Sequence, residues 1–383
     1  MHKFNSIFLM ATPLLFAHLW GDTSQENSPS EQNPAAANPL SQMGVNLAAR
    51  PVIKKGANLF VSGELLYWQA IEDDPLQTIE AIDGSSFAGN PSKRNLPSLD
   101  FDWNFGYRVG AGYNIPRDGW TLSAGWTSIR NKAKGFVQRV TSPNPSKSLN
   151  LLQAWGDANH QIPDGIESSR AKLNIDLNQI DLQCGREFYL GKYLTIQPYL
   201  GARNAWIDQT FSIFVQNATA NNNSQLCKFR NNFWGLGLVG GINTDWKFGS
   251  GFSLYSMSDL SILMGFFSVK EKIYFGVATP TGSEIPSPDQ LTNGFLASDW
   301  DESPKDAVAV LDLVMGLKWS KVFVNNRFGV TAKVGYEYHL YFDQNRYINA
   351  YSKNLSPSTI NLYYAEVGNL IYQGVAGSLQ FDF

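Results

Sequence analysis

Between Phe101 and Asn114 the chain reads FDWNFGYRVGAGYN, and this stretch restricts the fold more than any other. One set of alternate positions is Phe101, Trp103, Phe105, Tyr107, Val109, Ala111 and Tyr113. The other is Asp102, Asn104, Gly106, Arg108, Gly110, Gly112 and Asn114. Side chains on a strand alternate between faces, so the run predicts one greasy face and one wet face. It is about twice the common strand length, and a soluble sandwich strand would not normally carry so many glycines on its polar face. A transmembrane β-barrel strand fits it: apolar side chains outward to lipid, polar ones inward to a lumen, aromatic residues near both ends. A large soluble β-protein is the competing fold.

Composition supports the barrel. Hydrophobic residues make up 43% and aromatic residues 13% of the 383 positions, charged residues only 16%, and there are 33 glycines. That mixture suits a barrel whose outer band touches lipid. A formal charge of −3 offers no case for a nucleic-acid partner, which would call for a basic patch. Residues 1–21 hold the one extended apolar run, with Lys3 in a short n-region and a core from Ile7 to Leu19. The run is shorter than the ~20 residues a spanning helix needs. It therefore reads as a secretory signal peptide, with an uncleaved anchor as the alternative. Residues 22–57, as in SQENSPSEQNPAAANP, are too polar to bury a core and read as a disordered linker. Residues 58–383 remain for the barrel.

Two cysteines in an exported chain invite a disulfide. Cys184, however, lies close to a short turn at Leu190 to Tyr193, whereas Cys227 lies well before the turn at Phe248 to Gly251. With both turns at one rim, the two sulfurs fall near opposite rims, beyond the ~7 Å Cα limit for a bridge. Two free thiols or an intermolecular partner are expected.

Ten strands follow from the alternation: Leu59 to Ala70, Phe101 to Asn114, a third beginning at Trp120, Leu173 to Tyr189 and Leu194 to Phe211. Then come Asn232 to Phe248, Phe252 to Phe267, Ala307 to Trp319, Arg327 to Phe342 and a last one ending GSLQFDF. The fourth changes phase near Leu177 to Ile180, which predicts a bulge or a strand that starts above the membrane. Pro198 removes one ladder donor from the fifth. Two connections, Arg130 to Ser169 and Ser268 to Lys305, are about forty residues long, far above ordinary loop lengths. Short turns join strands two–three, four–five, six–seven and eight–nine, and the other connections are long. An all-β, closed, up-and-down antiparallel barrel with periplasmic turns and extracellular loops requires that order, with both termini on the periplasmic rim. Ten strands satisfy it; twelve would if one long loop hides a hairpin.

The same segments carry a resemblance. FDWNFGYRVGAGYN, DGWTLSAGWTSI (Asp118 to Ile129), IDLQCGREFYLGKYLTIQPYLGARNAWIDQ (Ile180 to Gln209) and NNFWGLGLVGGINTDW (Asn231 to Trp246) resemble the Legionella major outer membrane protein family of pore-forming proteins, also abundant in environmental chlamydiae. LLYWQA (Leu65 to Ala70) fits as well. The resemblance implies a porin-like barrel in a Gram-negative outer membrane, without catalytic residues to carry over. It also implies that Phe383 is the aromatic end read by outer-membrane assembly machinery; a last lipid-facing residue is the plainer role.

The predicted lumen-lining residues are Glu64, Asp102, Arg108, Asp181, Arg203, Asp245, Asp259, Asp312, Lys333 and Glu337. Both signs occur, so no strong ion preference follows. Such charges either pair across the lumen or face solute. Inward glycines favour some open space, yet ten to twelve strands lie between filled barrels of about eight and open channels of 16–18. The expected function is a narrow or gated porin-like channel for small hydrophilic solutes, set in outer-membrane lipid. A non-conducting adhesin or coat barrel acting through its surface loops is the alternative. An outer-membrane hydrolase is the remote rival: the mature chain has His160 in a loop and His339 near Glu337 and Tyr341, but a lumen wall holds such pairs without catalysis. The chain is therefore expected not to be an enzyme. The acidic run Asp299, Asp301, Glu302 matches no EF-hand spacing. No phosphate loop, zinc spacing or nucleophile elbow occurs, so no cofactor or metal is expected.

Overall fold

The structure, a computed structural model, describes residues 57–73, 79–82, 93–95, 98–116, 119–138, 149–152, 166–191, 193–217, 224–278, 284–323, 327–355 and 358–383. The expected signal and all but the last residue of the linker lie outside these. In chain order the strands are β1 (Leu59–Glu72), β2 (Ile79–Ile82), β3 (Lys93–Asn95), β4 (Asp100–Phe101), β5 (Trp103–Asn114), β6 (Trp120–Gln138), β7 (Leu149–Leu152) and β8 (Ile166–Arg186). They continue as β9 (Phe188–Tyr189), β10 (Leu194–Asn217), β11 (Ser224–Gly249), β12 (Phe252–Val277), β13 (Thr292–Glu302), β14 (Lys305–Phe323), β15 (Phe328–Leu355) and β16 (Ser358–Asp382).

Ten of these make the barrel. The antiparallel order is β1, β5, β6, β8, β10, β11, β12, β14, β15, β16, and β16 pairs back onto β1 from Phe60 opposite Asp382 to Glu72 opposite Leu370. Closure leaves the wall no unpaired edge inside the membrane, which lipid requires because it cannot hydrogen-bond to backbone. The first and last strands meet at the rim of the short turns, where the Phe383 amide donates to the Leu59 carbonyl at 2.8 Å. Gly249 and Gly251 hold positive φ in the β11–β12 turn, a conformation glycine adopts without strain.

Two aromatic belts mark the lipid-facing band. Tyr113, Trp120, Trp246, Phe252 and Phe328 ring the turn end; Trp103, Trp206, Trp234 and Phe266 ring the other. Between them apolar side chains such as Phe105, Leu238 and Met264 point outward, and polar ones point in.

Beyond the outer belt the strands continue and the faces exchange roles. On β8, Leu173, Ile175 and Leu177 are buried inside, while Asn174, Asp176 and Asn178 face out. Nearer the turn Ile180 and Leu182 face out, and Gln179 and Asp181 face in. The phase change expected near Leu177 to Ile180 is thus no bulge: the register with β6 and β10 runs through it unbroken. The strand starts above the membrane, and the outer solvent changes from hydrocarbon to water. Burial then stabilises apolar residues on the inside instead. The resulting core contains Phe211, Ile213, Phe229, Phe233, Val269 and Ile273, and it fills the barrel on its extracellular side.

Strand extension also accounts for much of the expected loops. β6 runs to Gln138, β12 to Val277 and β15 to Leu355, and β13 continues the β14 ladder against β12 past Pro304. The connection between β15 and β16, expected to be long, spans two residues between Leu355 and Ser358. Pro198 costs little. Pairing of β10 with β8 stops at Tyr199 opposite Gly185 and resumes with β9 at Ile196 opposite Phe188, so the missing donor falls in a gap. Cys184 and Cys227 are both free, as their places at opposite ends predict.

Candidate functional site

The polar inner faces enclose a cavity of about 760 Å³ that opens at the short-turn rim, beside Asn58, Pro116 and Asp382, and ends at Arg203, Asp312 and His339. Nine of the ten predicted lumen residues line it: Glu64, Arg108, Asp181, Arg203, Asp245, Asp259, Asp312, Lys333 and Glu337. Asp102 does not. It is exposed, because the alternation read without a break from Phe101 breaks at this residue. β4 pairs Phe101 with Ala133, whereas β5 pairs Gly106 with Ile129, so one extra residue is accommodated between them. The slip turns Phe101 inward against the core and leaves Asp102 outside the lumen.

The floor of the cavity is a continuous ionic network. Arg108 on β5 binds Glu64 of β1 at 2.9 Å and reaches Glu337 of β15 at 2.9 Å. His339 joins that group to the next, its Nε2 3.1 Å from Glu337 and its Nδ1 2.7 Å from Asp312. Arg203 on β10 donates to Asp312 and to Asp181, both at 2.6 Å, and lies 3.5 Å from Asp259. Tyr199 caps Asp259 through a 2.7 Å hydrogen bond. Seven barrel strands are tied together in this way. Both arginines must stay, because removing one member of a buried ionic group leaves its partners charged and unpaired.

Sequence reasoning missed the neutral partners. Thr127 accepts from the Arg108 Nε at 3.0 Å, Gln179 donates to Asp181 at 2.8 Å, and Tyr341 donates to Gln179 at 2.6 Å. It also misjudged the inward glycines, which do not simply leave open space. A Cβ on Gly335 would meet the Tyr255 hydroxyl at 2.4 Å, and one on Gly316 would meet the same ring at 2.8 Å. Tyr255 therefore lies along the wall over both glycines, with the Lys333 ammonium 5.6 Å from its ring centre. Phe233 lies likewise against Gly235 and Gly265.

A second polar layer sits above the outer belt, inside the core. Gln69 is opposite Trp103, so Glu72 lies three residues beyond the belt; Gln209 and Asn231 are equally far beyond Trp206 and Trp234. Gln209 donates to Glu72 and to Asn345, each at 2.7 Å, and the Tyr347 hydroxyl donates to Glu72 at 2.9 Å. Burial pushes the Glu72 carboxyl up to about 8, against a smaller lowering by the Tyr347 hydrogen bond. Burial likewise pushes the Cys227 thiol up.

For hydrolysis, a base must reach a nucleophile. Both His339 ring nitrogens are instead held by carboxylates, and His160 lies outside the described residues. Asp299 and Asp301 pair with Lys272 and Lys270 at 3.0 and 2.6 Å. Among the described residues no cluster of metal-binding side chains forms.

A family model described as Legionella pneumophila major outer membrane protein precursor matches residues 52–365. No curated protein matches the chain. Among solved structures, the chain aligns with the outer membrane protease OmpT from Escherichia coli at 11% identity, over 85% of this chain and 97% of that one, with a TM-score of 0.39. It aligns with a TodX deltaS2S3 mutant monoaromatic hydrocarbon channel at 10% identity, over 85% and 90%, with a TM-score of 0.25. A Pseudomonas aeruginosa FadL homologue aligns at 6% identity, over 89% and 95%, with a TM-score of 0.23. Scores this low support no inference from any of the three.

Proposed function

Because the chain belongs to the Legionella pneumophila major outer membrane protein family, of the Gram-negative outer membrane, we propose that it is a porin-like channel that rests closed. The observation that carries this reading is the charged cavity opening on the periplasmic rim and ending against an apolar core. Small hydrophilic solutes enter from the periplasmic side and stop at the Arg108–His339–Arg203 network. Passage requires that network to part and the core around Phe211 and Phe229 to wet, as in hydrophobic gating. Phe383, 41% exposed beside Phe328 at the lower belt, is free to serve as the assembly signal.

The packed core also favours a second reading, a barrel that never conducts and acts as a surface coat. Planar-bilayer recording separates the two. For a resting-closed channel, the refolded wild type gives rare, discrete steps, and Phe211→Ser combined with Phe229→Ser raises the open probability. Silence from both proteins, with the barrel shown to be folded, supports the coat. Steady conductance of the wild type contradicts the closed resting state.

A further inference from the structure

We propose that the outward face of β6 and β8, at the outer aromatic belt, binds the phosphate-bearing headgroup of an outer-leaflet lipid. Lys132 begins the site at the height of the belt. It stands beside Trp103, its carbonyl accepting from the Asp102 amide at 2.9 Å and its amide donating to the Asn104 side chain at 3.0 Å. Lys134 is the next outward residue on β6 and lies opposite Lys172 of β8, while Lys132 lies opposite Asn174. Each two-residue step along a tilted strand climbs about 5 Å. The three ammonium groups therefore occupy the headgroup layer, roughly 5–7 Å thick on each side of the hydrocarbon.

Two features point to an anion there. Like charges directly opposite on neighbouring strands have Cβ atoms about 4.5–5.5 Å apart and repel, unless something negative lies between them. Yet among the described residues no carboxylate forms an ion pair with Lys132, Lys134 or Lys172. Asp100 stands opposite Lys134 on its other side without pairing, and Asp102 is also unpaired with them. Elsewhere above the belt carboxylates close on the cations: Arg130 is held by Asp176 at 2.6 Å, and where Lys228 and Arg230 of β11 also stand opposite Lys272 and Lys270 of β12, those two lysines are held by Asp299 and Asp301 of β13. The β10 residues next in register, Thr210 opposite Asn174 and Ser212 opposite Lys172, add neutral donors and no acid. The patch is continuous with the lipid-facing band, so its occupant is a lipid and not a soluble anion.

The site is independent of conduction. A basic residue near an anionic lipid surface contributes about 1 kcal/mol, or about fivefold in affinity. Removing all three lysines should then weaken retention about a hundredfold. The test titrates refolded full-length protein in neutral detergent with lipid A, and reads retained lipid by native mass spectrometry. Phosphatidylcholine and inorganic phosphate serve as comparison ligands. The proposal expects lipid A to be retained by the wild type and by Lys270→Gln/Lys272→Gln, and lost from Lys132→Gln/Lys134→Gln/Lys172→Gln. All these side chains are solvent-facing, and circular dichroism checks the fold of each variant. Equal retention by the triple variant, or binding of free phosphate as tight as that of lipid A, overturns it.

Discussion

Replacing Glu72 by Gln should abolish a pH dependence of stability that the wild type shows between about pH 4.5 and 8. Glu72 is 4% exposed, and burial pushes its acid up from 4.5 to about 8 in the barrel. Below 4.5 the carboxyl is neutral in both the folded and the unfolded chain, and its contribution to stability is complete. As pH rises past 4.5 the unfolded chain ionises while the folded one resists, so stability falls. The loss is finished once pH passes about 8, where both states are charged. At about 1.4 kcal/mol for each pH unit separating the two, the loss is on the order of 5 kcal/mol. The substituted carboxamide can still accept from Gln209 and donate to Tyr347, so the polar layer keeps its hydrogen bonds while its ionisation disappears. The assay is urea unfolding of wild type and Glu72→Gln in lipid vesicles at pH 5, 7 and 9. The difference between the two proteins should move by several kcal/mol in favour of Glu72→Gln as pH rises. Parallel pH profiles would refute the placement of a buried carboxyl in this layer.

Other expectations follow from the same structure. Arg203→Met leaves Asp181, Asp259 and Asp312 without their shared cation and should lower stability by about 3–5 kcal/mol in the same unfolding assay. Gly237→Ala places a Cβ 1.8 Å from the Ile262 carbonyl oxygen, a backbone atom that cannot step aside, and should lower stability by about 1–3 kcal/mol. Cys227 is buried and its thiol shifted up, so a charged maleimide should leave it unlabelled in the folded barrel, and non-reducing electrophoresis should show no intramolecular bridge. Labelling only after denaturation meets the expectation; rapid labelling of the native protein does not.

The membrane part of this fold was legible because lipid outside and water inside impose one rule on every strand. FGYRVGAGYN on β5 and the turn order after it were enough to place ten strands and to bring nine of the ten lumen residues into one cavity. The extracellular part obeys the same alternation with its faces exchanged. Leu173, Ile175 and Leu177 repeat every second residue just as Ile180 and Leu182 do, and the phase change between the two sets fits a bulge as well as a strand that starts above the membrane, so only the unbroken register selects the second. Asp102 was misplaced because a one-residue bulge is invisible when the residues on either side continue the pattern. The layer of Glu72, Gln209, Asn231 and Asn345 was hidden for a related reason: polar residues near strand ends resemble loop.

The proposed channel has a lumen open to the periplasm and sealed toward the outside. Its most direct measurement is sided labelling of Ser378→Cys, a cavity-lining position, in a Cys184→Ser/Cys227→Ser background in sealed vesicles. A membrane-impermeant thiol reagent should modify it from the short-turn side and fail from the long-strand side. Equal labelling from both sides would rule out a sealed outer end.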